Sequence, residues 1–175
     1  MKKTVFTLLL MLATAIAGQA QSEKLTRTAW STMLPGDEEM EMVLNFDDDG
    51  ECYIILTSEE YQDLDDGASI TIRQSLSVPG IFNKSGRNIT VSFNKRKAEF
   101  NLSYDIYGAD EQTKNLMKLM LTPELKKMEP EIKQEMLDLV PAFMDDMKVI
   151  SVNKERLILG DGEGERMTFY PAAKG

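Results

Sequence analysis

The 175-residue sequence contains no histidine, one cysteine and one tryptophan. Without histidine it lacks the usual general base and the commonest metal ligand. A Ser-His-Asp or Cys-His mechanism cannot be assembled within it, nor can a zinc site that uses imidazole. Cys52 alone forms no intramolecular disulfide, so the fold must rest on a buried core, which a chain of this length can build. The cysteine itself reads as a small apolar core residue. Basic residues are also scarce, with 20 Lys and Arg against 29 Asp and Glu and a net charge of −9. Phosphate backbones need a basic surface, so nucleic acid is excluded as a partner, and anionic lipid heads are disfavoured. The acidity serves to keep the chain dispersed.

One long apolar run is present, and it lies at the start. Met1-Lys2-Lys3 precedes apolar residues from Val5 to about Ala17, followed by Gly18-Gln19-Ala20-Gln21-Ser22. That is the order of a secretory signal peptide, with the cut expected after Ala20. The run is shorter than the ~20 residues that span a bilayer, and no cysteine lies near the cut to carry a lipid anchor. The expected product is one exported domain, residues 21–175, periplasmic or secreted. It has no transmembrane segment. Losing Lys2 and Lys3 takes its net charge to −11.

From about Glu23 to Tyr107 the pattern is that of short strands. Met40, Met42, Leu44 and Phe46 alternate with less apolar neighbours, the period of a half-buried strand. Asp47-Asp48-Asp49-Gly50 then forms a hairpin turn, and Cys52 to Leu56 resumes the strand. Further strands are expected over Ser69–Val78, where Gln74 interrupts the apolar face of Ile70, Ile72, Leu76 and Val78. Others follow at Ile89-Val91-Phe93 and Phe100-Leu102-Tyr104. Turns are expected at Asp63 to Gly67, Pro79-Gly80, Asn83 to Gly86 and Asn94 to Lys97. Such a series of strands and turns makes a meander that must close or pack on something.

Residues 110–147 read differently. A short apolar helix over Leu116 to Leu121 is followed by a start signal, Thr122-Pro123-Glu124. Leu125, Met128, Ile132, Met136, Leu139, Phe143 and Met147 then form one helical stripe. Pro130 and Pro141 should kink or split it. A helical pair is expected. Strands return at Val149 to Val152, Leu157 to Leu159 and Met167 to Tyr170. The fold class is thus mainly β: an antiparallel up-and-down meander with a helical insertion packed on it.

Leu25-Thr26-Arg27-Thr28-Ala29-Trp30, then Leu44-Asn45-Phe46-Asp47-Asp48-Asp49-Gly50, and the closing Arg156-Leu157-Ile158-Leu159 and Met167-Thr168-Phe169-Tyr170 carry a resemblance. The chain resembles the small secreted lipocalin-like (calycin-type) domains of bacteria. Two departures stand out: Thr28 occupies a place usually held by glycine, and the 110–147 insertion is additional. The resemblance implies a barrel or half-open barrel, Trp30 packed at one end, and in many members a small apolar ligand.

Several clusters invite a site. Asn45, Asp47, Asp49 and Gly50 fit the first positions of a calcium loop, but its closing glutamate position is Leu56. A solvated hairpin turn is the simpler reading, and no metal site is assigned. Among the many acids, Glu59, Glu60, Asp63, Asp65, Asp66, Asp105, Asp110 and Glu111 single out no pair for glycoside chemistry. No catalytic residue and no cofactor motif is found, so the chain is not expected to be an enzyme. Lys84, Arg87, Lys95, Arg96 and Lys97 form a basic cluster suited to an anion or to solvated turns. Met117, Met120, Met128, Met136, Met144 and Met147 enrich the helical block with a pliable side chain that suits varied apolar partners. They serve either as ordinary core or as a lid over a cavity. The functional expectation is non-catalytic binding of a small apolar or amphipathic ligand, with Trp30, Met42, Phe46, Ile72, Phe93 and Phe100 lining the cavity. The alternatives are an interaction module for another exported protein, with a packed barrel and an exposed apolar patch, and, behind both, a carboxylate hydrolase.

Overall fold

The computed structural model describes residues 25–34, 37–64, 67–85, 88–140, 147–160 and 164–172. The expected leader, residues 1–20, lies outside the described residues. Among the described residues, nine strands and one long helix make up the fold. The strands are β1 (Trp30–Leu34), β2 (Asp37–Phe46), β3 (Glu51–Asp63), β4 (Ser69–Ser85), β5 (Asn88–Phe93), β6 (Glu99–Tyr107), β7 (Met147–Val152), β8 (Leu157–Gly160) and β9 (Arg166–Pro171). The helix, α1, is Glu111–Leu139.

Eight strands close into an antiparallel barrel in the order β1-β2-β3-β4-β5-β7-β8-β9. The closure left open by the sequence is made by Trp30↔Pro171 and Ser31↔Tyr170 between β1 and β9. A hydrogen bond from Ala172 N–H to the Ala29 carbonyl at 2.8 Å extends that seam. Period-2 alternation fills the interior: Met40, Met42, Leu44 and Phe46 from β2, Cys52, Ile54 and Leu56 from β3, and Leu157, Leu159, Met167 and Phe169 from the closing strands are all buried in one cluster. Each such side chain contributes roughly 1.5–3 kcal/mol relative to exposure. Trp30 lies where β1 meets its two neighbours, and its indole N–H donates to the carbonyl of Leu25 at 3.2 Å. The polar end of a buried ring is therefore satisfied.

β4 is longer than its sequence suggests. It runs through Pro79-Gly80, which reads as a turn. Along one edge it pairs continuously with β3, from Glu51↔Ile81 to Asp63↔Ser69. Along the other edge it pairs first with β6, Ser69↔Tyr107 to Ser77↔Glu99, and then with β5, from Gly80↔Phe93 onward. Pro79 falls in the gap between these partners, where no ladder donor is needed. Its carbonyl accepts from Asn94 N–H at 2.7 Å. Gly80 is required by close packing: a Cβ there would lie 2.6 Å from the Phe93 ring and 3.1 Å from the Cys52 sulfur.

The outer parts of β3, β4 and β6 project beyond the barrel as a three-stranded extension. At its tip Gly108 adopts φ 74°, and a Cβ would collide with the carbonyl of Gly67. On one face Arg73 pairs with Glu59 at 3.4 Å and with Asp105. These are exposed ion pairs of small energetic weight.

The helical pair expected over 110–147 is a single helix, and Met147 belongs to β7. Residues 141–146, with Phe143 and Met144, lie outside the described residues. Asp110 caps the helix, its carboxylate accepting from Thr113 N–H at 2.8 Å. The backbone and side-chain hydroxyl of Thr113 hold the Asp110 carboxyl below its usual range. Thr122 is not a cap. Its hydroxyl donates to Lys118 O at 2.7 Å and sits 2.7 Å from the Tyr104 hydroxyl. Pro123 and Pro130 lie inside the helix. Each removes one backbone bond, at exposed positions where solvent can serve the freed carbonyls.

The stripe also differs from expectation. Met117 and Leu121 face the extension, whereas Ile132, Met136, Leu137 and Val140 face the barrel. A step of four residues overshoots a helical turn by ~40°. The contact seam therefore winds around the helix, and Met128 and Leu139 turn outward. At the far end two lysines fasten helix to barrel: Lys95 Nζ donates to Val140 O at 2.9 Å and Lys133 Nζ to Ala98 O at 2.8 Å.

Candidate functional site

Beyond the barrel rim the inner face of the extension continues the alternation of β4. Leu76 and Val78 point into the barrel core; Gln74 stands at the rim; Ile72 and Ile70 follow outside it. The helix lies over these last residues. Between them is a furrow of about 260 Å³ lined by Gln62, Leu64, Ile70, Ile72, Met117, Met120 and Leu121. Among the described residues Gln62 is its one polar lining side chain. The Tyr104–Thr122 hydroxyl contact ties the helix to β6 beside it.

The same half of the helix also presents apolar side chains to solvent. Leu116 is 59% exposed, Leu119 72% and Met120 66%. Burying exposed side chains of this kind favours association. These three residues make this segment a candidate binding surface, and methionine lets such a surface adapt.

The residues expected to line a barrel cavity divide between three places. Trp30, Met42 and Phe46 are fully buried in the barrel core. Phe46 meets Phe82 edge to face, with centroids 5.5 Å apart. Phe93 is buried over Gly80, and Phe100 packs half-buried against the core. Ile72 alone of the six lies in the furrow. Of the other furrow residues, Met117 and Met120 stand out by composition, while Leu64 carries no sequence signal of its own.

Asp47, Asp49 and Glu51 bring their carboxylates within 4.8 Å of one another, all exposed. They serve the hairpin: Asp49 accepts from Glu51 N–H at 3.1 Å, and Glu51 accepts the Tyr53 hydroxyl at 2.7 Å. Glu51 holds the Tyr53 hydroxyl above its usual pKa. Leu56, at the position where a calcium loop needs its bidentate acid, is buried in the core. Burial, aided by Asp47, pushes the Cys52 thiol up to about 12, which makes it a poor nucleophile at neutral pH. The basic cluster splits: Lys95, Arg96 and Lys97 form a 3-10 turn between β5 and β6, whereas Arg87 and the Lys84 side chain lie outside the described residues.

Among the described residues no helix is long and apolar enough to cross a membrane. No family model matches the chain, and comparison with characterised proteins finds no similar sequence.

Proposed function

We propose that this is an exported, non-catalytic binding protein of lipocalin-like build, whose barrel is a scaffold and whose recognition element is the furrow under α1. The observation that carries this reading is the near-absence of polar atoms along the furrow wall, set beside three exposed apolar residues on the same helical segment. The barrel interior is occupied by the protein's own side chains. An apolar ligand therefore has room at the furrow rather than among Trp30, Met42 and Phe46. A furrow of about 260 Å³ is slightly below the range of pockets that engulf a drug-sized molecule. It suits the chain or ring of an amphipathic compound whose polar end stays in water.

The second reading is a partner protein that seats an apolar side chain in the furrow. The exposure of Leu116 and Leu119, outside the furrow proper, favours it.

Native mass spectrometry of the mature protein from its own host, followed by solvent extraction, tests both. A stoichiometric apolar compound, lost in Met120→Ser and Ile72→Ser variants, supports the ligand reading. A clean apoprotein that copurifies with another exported protein, in a complex lost in Leu116→Ser and Leu119→Ser variants, supports the second. A clean apoprotein with no partner, unaffected by any of these changes, would refute both.

A further inference from the structure

The outer wall of the barrel holds a different concavity, separate from the furrow. It has a volume of about 650 Å³ and lies between the β3–β4–β5 surface and the 3-10 turn Lys95–Lys97. That volume is typical of small-molecule sites. Its floor includes Tyr53, Pro79 and Ile81, and Ile81 is exposed despite its size. Ser92 and Asn94 add polar edges, and Glu51 stands on the hairpin side.

Three consecutive cations on one turn are unexpected in a chain of net charge −9. One has a structural task, because Lys95 donates to the helix-end carbonyl of Val140. Arg96 and Lys97 have none: their side chains are exposed and make no hydrogen bond or ion pair among the described residues. The turn that carries them is nevertheless held firmly. Asn94 N–H donates to Pro79 O at 2.7 Å, and Lys97 N–H to Asn94 O at 3.0 Å. The Asn94 side chain accepts from Arg96 N–H at 3.2 Å. Ala98 is buried, and its carbonyl is taken by Lys133. The two unengaged cations stand on a backbone held in place beside an apolar floor, so a ligand has their side chains but not the turn itself to order.

We propose that this cleft binds a small amphipathic anion, its apolar body lying on Tyr53 and Ile81 and its carboxylate or sulfonate held by Arg96 and Lys97. The guanidinium fork matches a two-oxygen anion. Glu51 at the opposite side repels negative charge and so orients the ligand with its anion toward the turn. The apolar floor and that acid together disfavour a polyphosphate. The inference is independent of the furrow reading, since it uses none of the furrow residues.

The test uses the mature protein with naphthalene-2-sulfonate and its neutral counterpart naphthalene-2-methanol, followed by equilibrium dialysis and by NMR shifts of Tyr53 and Ile81. The sulfonate should shift both residues and bind more tightly than the alcohol by roughly tenfold or more, the scale of a charge-assisted hydrogen bond. An R96Q/K97Q double variant should lose that margin while melting like the wild type, because neither side chain supports the fold. Ile81→Glu should weaken the sulfonate similarly. Near 1 M salt, where screening acts within about 3 Å, the margin should shrink. Octanoate in place of the aryl sulfonate distinguishes a chain-bearing from a ring-bearing ligand; binding by either, sensitive to the double variant, supports the proposal. Equal affinity for the alcohol, or binding undiminished in R96Q/K97Q, would overturn it. So would a concentration-dependent dimer that the double variant abolishes without any binding of either anion.

Discussion

The helix contributes to the core at one end and lines the proposed furrow at the other, and Met136→Ala separates the two ends. Met136 is the buried residue of α1 and belongs to the barrel cluster with Val140. Truncation removes the γ-methylene, the sulfur and the ε-methyl from a site 2% exposed. At ~0.8 kcal/mol per buried methylene-sized group, with a further cavity term, the cost should be about 3 kcal/mol. For a domain of this size that lowers Tm by roughly 6–12 °C. The assay is urea and thermal unfolding followed by the fluorescence of Trp30, the sole tryptophan, which is buried beside β9. Met128→Ala is the internal control. Its side chain is half exposed, so the change should stay within about 0.5 kcal/mol. If Met136→Ala were as mild as Met128→Ala, the helix would not be docked on the barrel, and the furrow built on that docking would fall with it.

Two further outcomes follow from the packing around Cys52 and Gly80. Gly80→Ala should cost about 1–3 kcal/mol by overpacking, read by urea unfolding, because its Cβ would meet both the Phe93 ring and the Ser92 carbonyl at 2.6 Å; wild-type stability would show that Phe93 does not lie over the glycine. Cys52 should resist a thiol reagent at pH 8 until the protein unfolds, since burial pushes its thiol from 9 up to about 12. The unfolded thiol ionises first, so the folded state binds more protons between those values and stability should fall as pH rises from 9 toward 12. Rapid native labelling at pH 8, or an upward trend in stability across that window in wild type relative to Cys52→Ala, would contradict the burial.

The hairpin of β2 and β3 was legible because each strand has one wet and one dry face, so period 2 is written directly into Met40, Met42, Leu44 and Phe46. The long β4 was not, because Pro79-Gly80 carries the local signature of a turn. Its meaning depends on a non-local fact: the strand changes partners at that point, so a missing N–H costs no ladder bond. The prolines of α1 misled for a related reason. They fall on the exposed side, where a helix held by Asp110 at one end and by the barrel at the other continues through them. Gln74 was the most informative residue and looked like noise. It interrupts the apolar face of β4 at the barrel rim, separating the residues of the core, Leu76 and Val78, from those of the furrow, Ile70 and Ile72. Arg96 and Lys97 were visible as charge, but only the structure separates them from the structural Lys95.

One local feature shapes both proposed sites. β5 and β6 lie end to end along β4, yet they do not share a register. In an unbroken antiparallel partner, stepping back along β4 from Gly80 to Ser77 would carry the pairing forward from Phe93 to Arg96; the residue opposite Ser77 is instead Glu99. The surplus is taken up by the turn Lys95–Lys97. Because the turn interrupts the strand, β5 keeps β4 on one edge and closes the barrel against β7 on the other through Val91↔Met147, while β6 continues outward to build the extension. Because Ala98 and Lys95 follow from the same turn, the helix end is fastened there by the Lys133 and Lys95 bonds, which fixes the furrow on the inner side. On the outer side the turn overhangs β3 and β4 as the cationic wall of the cleft. A deletion that removed these residues and rejoined β5 to β6 would therefore disturb barrel closure, helix docking and the anion cleft together, whereas R96Q/K97Q should remove the charge of the cleft alone.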